Sequence, residues 1–567
     1  MEPVLKQNHK GQEPPTTFNF ANDVVDYWAD HPGNLQAMHW VSQGGVQERK
    51  LSFKYFSNQS HRIAVLLDQM GLKNGDTMII VLPRVPAWWE LTLAALRSGL
   101  IYSPGPTLLT GKEIQYRCNE TKAKLFVGDA ASVKKFLSVR QDCPTVRHII
   151  QVGDDIVEQA ISLYASLDTI PADAKYTSLV QEWSSPALIY FTSGTSGLPK
   201  MVRHNQISYP LAPKEALKEW YQLAPGKVLW NTADQGWAKA AWSFFGAWNA
   251  GATLFVLDDR GAFNPKRTVD ILHRYQITSL CAAPLIFRQL VLPEMKDYLE
   301  QNPPNSLSHC TTAGEALNGD VTRKWRQLTG VDIHEGYGQT ETSLLCANLK
   351  GCVIRPGSMG KPVPGVPLRI ITATGAEAAD DEEGDIAVLL SDRNGNSNFF
   401  GIFDGYILED NTCTRKEKVF TVDGEVKTYY LTGDRATRDS DGCFWFVGRA
   451  DDVINSSGYR IGPFEVESTL KLHPSVAEAA VISSPDTVRG EVVKAFVVLT
   501  KKYENAAHHE LEQELQVFCK TNAAPYKYPR KLEFVNADFL PKTTSGKIQR
   551  AMLRKAEWRH AGGNSKL

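Results

Sequence analysis

No apolar run in this chain of 567 residues approaches the ~18–20 residues that a bilayer-spanning helix needs. An excess of one charge is also lacking. The 62 basic and 63 acidic residues leave a formal net charge of −1, which removes nucleic acid and anionic membranes as bulk partners. A cation that matters must therefore act locally, at an anion inside a site. Cysteines in metal-ligand spacing are missing as well. The nine cysteines are scattered from Cys118 to Cys519 without a CxxC pair, as expected of reduced thiols filling a core in a reducing compartment. Internal repeats and long low-complexity segments are absent. The N-terminus, with Glu2, Glu13 and the Pro14-Pro15 pair, resembles neither a signal peptide nor an Arg-rich transit peptide.

What is present is an ordinary globular composition, 43% hydrophobic and 22% charged, in a chain long enough for roughly two to four folding units. Short runs of β-branched and apolar residues recur at Met78 to Leu82, Leu125 to Val127, His148 to Val152, Thr253 to Leu257 and Ser279 to Ala282. Many end at Gly, Asp or Pro, as buried strands do. After the first comes Pro83-Arg84-Val85-Pro86, then apolar residues at helical spacing from Ala87 to Leu96. This strand–turn–helix alternation predicts parallel sheets covered by helices, continuing to about residue 450. Beyond Asp451-Asp452 the texture shortens: a helix from Pro463 to Leu472, strands at Ala479 to Ser483 and Val492 to Leu499, and a helix from Glu510 to Cys519. The expected architecture is α/β. Residues 1–450 form a large domain of parallel layers, residues 451–560 a small mobile α+β domain, and residues 561–567 a tail.

The stretch Thr192-Ser193-Gly194-Thr195-Ser196-Gly197-Leu198-Pro199-Lys200 leaves the apolar run Ala187 to Phe191. Its glycines and small residues let backbone N–H groups approach phosphate oxygens, while its hydroxyls and Lys200 add donors and positive charge. It is not the GxxxxGK[ST] pattern, so the P-loop fold is not implied.

With this loop the chain resembles the adenylate-forming superfamily of acyl-CoA synthetases, adenylation domains and luciferases, and within it most nearly the medium-chain acyl-CoA synthetases. Further motifs follow in the family's order. In Glu335-Gly336-Tyr337-Gly338-Gln339-Thr340-Glu341, preceded by Gly314-Glu315, the resemblance implies that Tyr337 stacks on adenine, Thr340 lies by the α-phosphate and acyl carboxylate, and Glu341 holds Mg²⁺. It implies that Asp434 binds the ribose hydroxyls, Arg449 contacts the nucleotide and Asp451 is a hinge. Asn455-Ser456-Ser457-Gly458-Tyr459-Arg460 would line the pantetheine channel, and Arg489 with Lys527-Tyr528-Pro529 would contact coenzyme A. Lys547, in Pro541-Lys542-Thr543-Thr544-Ser545-Gly546-Lys547, would be the catalytic lysine.

The reaction so implied takes ATP, Mg²⁺, a carboxylic acid and coenzyme A to acyl-CoA, AMP and diphosphate by way of an acyl-adenylate. Trp237 matches a lining position of the acid pocket. The related acetyl-CoA synthetases carry a tryptophan where this chain has Gly338, so an open tunnel for a medium-chain fatty acid or a small aromatic acid is expected. Three alternatives stay open: delivery of the acyl group to a carrier protein, a luciferase-like oxidation, and a non-catalytic sensor of acid or adenylate. Finally, the chain ends in Ser565-Lys566-Leu567, which reads as a peroxisomal address for the peroxisomal import receptor.

Overall fold

The computed structural model describes residues 14–560 apart from 193–198, 316, 318, 393–394, 397–398, 451, 457–458, 487–488, 524–526 and 544–546. The chain divides into two compact units: residues 1–192, 199–367 and 397–415 form the first, and residues 193–198, 368–396 and 416–567 the second.

The first unit is built on two nine-stranded sheets. In one, six strands run parallel in the order Ile333–Gln339, His309–Ala313, Ser279–Ala282, Val228–Asn231, Thr253–Leu257 and Gln36–Val41, with antiparallel strands closing each edge. The other has a parallel run of Pro186–Thr192, Ile101–Pro104, Thr77–Val81, Leu125–Gly128, His148–Gln151 and Ile161–Ser162. The antiparallel strands Lys200–Asn205, Gly405–Ile407 and Cys413–Thr414 extend it beyond Pro186–Thr192. Strands such as Thr77–Val81, Leu125–Gly128 and Thr253–Leu257 are buried and apolar along nearly their whole length because both faces are covered.

Two helices show why. Pro86–Ser98 starts with proline at its first turn, stops at Gly99 in the left-handed conformation, and is buried over its entire length. Its one guanidinium, Arg97, is satisfied inside the fold by both carboxylate oxygens of Asp26, each at 2.8 Å. Ala238–Asn249 carries Trp242, Phe244, Phe245 and Trp248, all buried in a single core with Trp88, Trp89 and Trp220. A helix apolar on every side has to lie between layers rather than on a surface.

The second unit holds a six-stranded and a five-stranded sheet. The six-stranded sheet is antiparallel throughout and is formed by residues between Leu368 and Arg449. The strand–helix alternation expected up to residue 450 therefore stops earlier, and hairpins replace it. One of these, between Glu417–Val422 and Glu425–Arg438, turns on Asp423 and Gly424, both with positive φ (52° and 75°). That is the Asp-Gly signature of a two-residue hairpin. The five-stranded sheet carries helices Pro463–Leu470, His508–Asn522 and Arg550–His560 around a core that includes Ile454, Val481, Val493, Leu511 and Leu515.

Candidate active site

The stretch expected to grip phosphate begins and ends on paired strands. Strand Pro186–Thr192 pairs antiparallel with Lys200–Asn205, and Thr192 stands opposite Lys200. The intervening residues Ser193, Gly194, Thr195, Ser196, Gly197 and Leu198 lie outside the described residues. Pro199 is held by its carbonyl, which accepts from the Tyr116 hydroxyl at 2.9 Å. The Lys200 ammonium sits 5.2 Å from the centroid of the Tyr406 ring. The Tyr406 hydroxyl in turn donates to Glu341 Oε1 at 2.7 Å. One aromatic side chain thus joins Lys200, the lysine expected at the phosphates, to the carboxylate expected to hold the metal.

Glu341 belongs to a turn that is fixed from several sides. Its carbonyl accepts from the Phe403 amide at 2.8 Å. The neighbouring carbonyl of Thr340 accepts from His204 Nε2 at 2.7 Å and from the Tyr209 hydroxyl. A carbonyl only accepts, so Nε2 carries the proton and Nδ1 accepts from Ser208 Oγ, 2.9 Å away. Burial pushes the imidazole down to about 3, which keeps it neutral at physiological pH. Nothing in the sequence pattern singles out His204, Tyr209 or Tyr406. They are an ordinary strand residue, a residue of the following turn and a residue of a distant short strand, and only the fold brings them to this turn.

Ile333–Gln339 carries the rest of the motif. Glu335 is 6% exposed, accepts from the Leu317 amide at 3.2 Å, and is pushed up to about 8 by burial, with a further push from Glu315. It is an uncharged acid at neutral pH. Glu315 itself is ion-paired with Arg288 at 2.6 Å, and Gly314 holds a φ of 110°. Gly336 has no room for a side chain because the Trp220 ring would lie 2.5 Å from a Cβ there.

Gly338 is confined by its own hairpin. A Cβ at this position would lie 1.9 Å from the Ser343 carbonyl oxygen and 3.0 Å from Trp242, where the register shifts between Tyr337 and Gly338. The missing side chain serves the close approach of the two hairpin strands, whatever else it leaves open. Trp237 is half-buried just before the helix Ala238–Asn249, with its amide on the Asp234 carbonyl at 3.1 Å.

In the second unit, Asp434 and Arg449 are paired across adjacent strands, with Arg449 Nη1 3.4 Å from Asp434 Oδ1. Arg489 closes a turn, its amide donating to Asp486 Oδ1 at 2.8 Å. Lys527, expected as an exposed cation for a phosphate, has its Nζ 2.6 Å from Glu465 Oε2, while the Tyr528 hydroxyl accepts from the Arg530 guanidinium at 2.6 Å. Pro529 follows directly. Lys547 is exposed on a loop closed by its own amide on Thr543 Oγ1 at 3.1 Å and by the bridge of Lys542 with Ile548. Behind that loop, Arg550 grips Glu467 through two bonds of 2.8 and 2.6 Å. Asp451, Ser457 and Gly458 lie outside the described residues. Tyr459 and Arg460 are described as backbone only, in a strand opposite Ser456 and Asn455.

The AMP-binding enzyme family matches residues 25–389, and the AMP-binding enzyme C-terminal domain matches residues 465–547. The chain belongs to the AMP-binding enzyme family. Human mitochondrial acyl-coenzyme A synthetase ACSM5 is 44% identical to it over 550 residues, 96% of this chain and 91% of that protein. Human mitochondrial ACSM3 is 43% identical over 554 residues, 96% and 90% of the respective chains. Among solved structures, the anthranilate CoA ligase AuaEII in complex with anthranoyl-AMP matches with a TM-score of 0.82 at 26% identity, covering 97% of this chain and 99% of that one. An acyl-CoA synthetase from Brucella canis matches with a TM-score of 0.70 at 32% identity, covering 98% and 96%. The family reaction is adenylate-forming ligation of an acid to coenzyme A, with ATP, Mg²⁺ and coenzyme A as cofactors, and this member is an AMP-forming acid–thiol ligase.

The expected cellular address is overturned. The terminal Ser565-Lys566-Leu567 reads as a peroxisomal signal with an import receptor as partner, but these relatives are mitochondrial proteins. Three residues outside the described part of the chain are too short a pattern to stand against a likeness that spans almost its whole length.

Proposed function

We propose that this ligase activates a medium-chain fatty acid or a small aromatic acid, first as the acyl-adenylate and then as the CoA thioester. The observation that carries the reading is the chain of contacts from Lys200 through Tyr406 to Glu341, which fixes a cation and a carboxylate relative to each other beside the pinned Thr340. The barrier to adenylation is the approach of a carboxylate to an anionic phosphate. Fixed positive charge and donors at the developing pentavalent phosphorus lower that barrier. In this reading Lys200 and the loop before it grip the β- and γ-phosphates, Lys547 stabilises the α-phosphate, and Asp434 with Arg449 holds the ribose. Glu341 would hold Mg²⁺, which supplies positive charge at the phosphates when bound. One anchored carboxylate suits an ion that takes most of its ligands from phosphates and water, and no group of three or more metal-binding side chains occurs among the described residues.

Thioester formation then needs the CoA thiol at the same carbonyl. We assign the pantetheine path to Gly458 and its neighbours, the phosphates of coenzyme A to Arg489 and Lys527, and the pivot between the two half-reactions to Asp451. The complex of the anthranilate ligase with anthranoyl-AMP supports the aromatic arm of the proposal, and the motif resemblance to medium-chain acyl-CoA synthetases supports the aliphatic one. We place the enzyme in mitochondria, the compartment of the named relatives.

The test is a panel of straight-chain and aromatic acids, scored for diphosphate release and for acyl-CoA formation with free coenzyme A or a carrier protein as acceptor. Release that depends on the acid and gives no acyl-CoA from free coenzyme A would overturn the proposal in favour of carrier loading.

A further inference from the structure

Lys239 takes no part in the assignments above, yet three observations place it at the reacting region of the first unit. It stands in the first turn of the helix Ala238–Asn249, two residues beyond Trp237. The Asn231 side-chain amide, at the end of strand Val228–Asn231, donates to the Lys239 carbonyl at 3.2 Å. The Lys239 ammonium donates to the carbonyl of Ala313 at 3.1 Å, the last residue of strand His309–Ala313 and the neighbour of Gly314. Both strands belong to the parallel run, and open parallel sheets bind their ligands beyond the carboxyl ends of the strands.

Charge makes the position unusual. The Lys239 residue is half-buried, and burial of its amine lowers its pKa. An ammonium has three donors, and among the described residues its hydrogen-bond partner is a neutral carbonyl. The acid nearest in charge, Glu315, is already paired with Arg288 at 2.6 Å. Placing a cation in a buried setting costs free energy, and among the described residues no ion pair offsets the cost.

We propose that Lys239 selects the acid: its ammonium takes a hydrogen-bond-accepting oxygen carried on the substrate's tail, so that acids bearing a hydroxyl, carbonyl or second carboxylate are ranked above plain hydrocarbon acids of the same length. This rests on the reading of the chain as an acid–CoA ligase with Trp237 on its acid pocket. The competing role is a structural one, a tether between the helix and Ala313, and the two differ in what they do to substrate ranking.

The experiment compares kcat/KM for hexanoate, 6-hydroxyhexanoate, 5-oxohexanoate, adipate, benzoate and the hydroxybenzoates on the full-length enzyme, its Lys239→Met variant and its Lys239→Arg variant. The wild type should prefer at least one oxygen-bearing acid over its hydrocarbon counterpart. Lys239→Met, which keeps the stem and loses the charge, should lower that acid's kcat/KM roughly 10- to 100-fold. It should leave hexanoate and benzoate within about threefold and the KM for ATP unchanged, and Lys239→Arg should restore part of the preference. Equal losses on every acid, matched by a lower melting temperature, would assign the tether role and overturn the proposal. A wild type that ranks hydrocarbon acids first would overturn it too while leaving the ligase reading intact. Failure of every acid to release diphosphate would bring down both.

Discussion

Glu335→Gln should flatten the pH dependence of stability that the wild type owes to one buried acid. Burial raises this carboxyl from its ordinary 4.5 to about 8, so between those values the native chain holds a proton that the unfolded chain releases. Stability therefore falls as pH rises through that window, by about 1.4 kcal/mol per pH unit where the difference is a full proton. Between roughly pH 6 and pH 8 the loss integrates to about 2 kcal/mol, the slope easing as the native group begins to ionise. Glutamine copies the neutral acid in size and retains an oxygen to accept from the Leu317 amide, 3.2 Å from the carboxyl in the wild type. The assay is urea denaturation followed by tryptophan fluorescence at a series of pH values, wild type against Glu335→Gln. The variant should gain on the wild type as the pH rises, by about 2 kcal/mol across that span. Parallel curves would mean that Glu335 is already ionised in the native state, and would refute the reading of it as an uncharged member of the motif.

Three further outcomes test the site. Tyr406→Phe keeps the ring beside Lys200 and removes the hydroxyl from Glu341; losing a hydrogen bond to a charged group, ~1.5–3 kcal/mol, should slow Mg²⁺-dependent adenylation by roughly 10- to 100-fold in a diphosphate-exchange assay, and an unchanged rate would dissociate Tyr406 from the site. Lys547→Ala should abolish adenylation while largely preserving thioester formation from supplied acyl-adenylate, and equal loss in both half-reactions would remove its assigned role. Gly338→Ala already forces a Cβ to within 1.9 Å of the Ser343 carbonyl, so it should cost at least ~1–3 kcal/mol by overpacking, read as a lower melting temperature. A tryptophan at 338 should cost more still; a variant of normal melting temperature with its preference moved toward acetate would restore the view that this glycine only leaves a tunnel open.

The legible parts of the sequence were those where chemistry is written into adjacent residues. Val-, Ile- and Leu-rich runs ending at Gly or Asp became parallel strands because a strand covered on both faces has no polar side to show. The stretch Thr192 to Lys200 announced itself by composition alone, and its ends do lie on paired strands. The antiparallel sheet between Leu368 and Arg449 was harder to see. Its strands are partly exposed, so their apolar residues alternate weakly, and its hairpins are marked only by short turn pairs such as Asp423-Gly424 and Asp441-Gly442. Least legible were the supports of the site. His204, Tyr209 and Tyr406 act on Thr340 and Glu341 over separations of 136, 131 and 65 residues, and nothing local distinguishes them from core filler. Gly338 shows the converse hazard. A glycine reads as an absent side chain when the decisive fact is the backbone oxygen that lies where one would go.

The route of the chain has a practical consequence for anyone wishing to cut or recombine this enzyme. Residues 397–415 return to the first unit after 368–396 have entered the second, and the chain leaves again at 416. The returning segment brings Tyr406 to Glu341 and Asp404 to Arg203, 3.1 Å away, and to Asn205, 2.9 Å away. The two units are thus not modular in the manner of beads on a string. A fragment ending at residue 389, where the larger family match stops, would keep Glu341 and Lys200 but lose the tyrosine that links them. Chimeras that exchange acid specificity should therefore treat this short return as part of the recipient scaffold and place their junctions to either side of it.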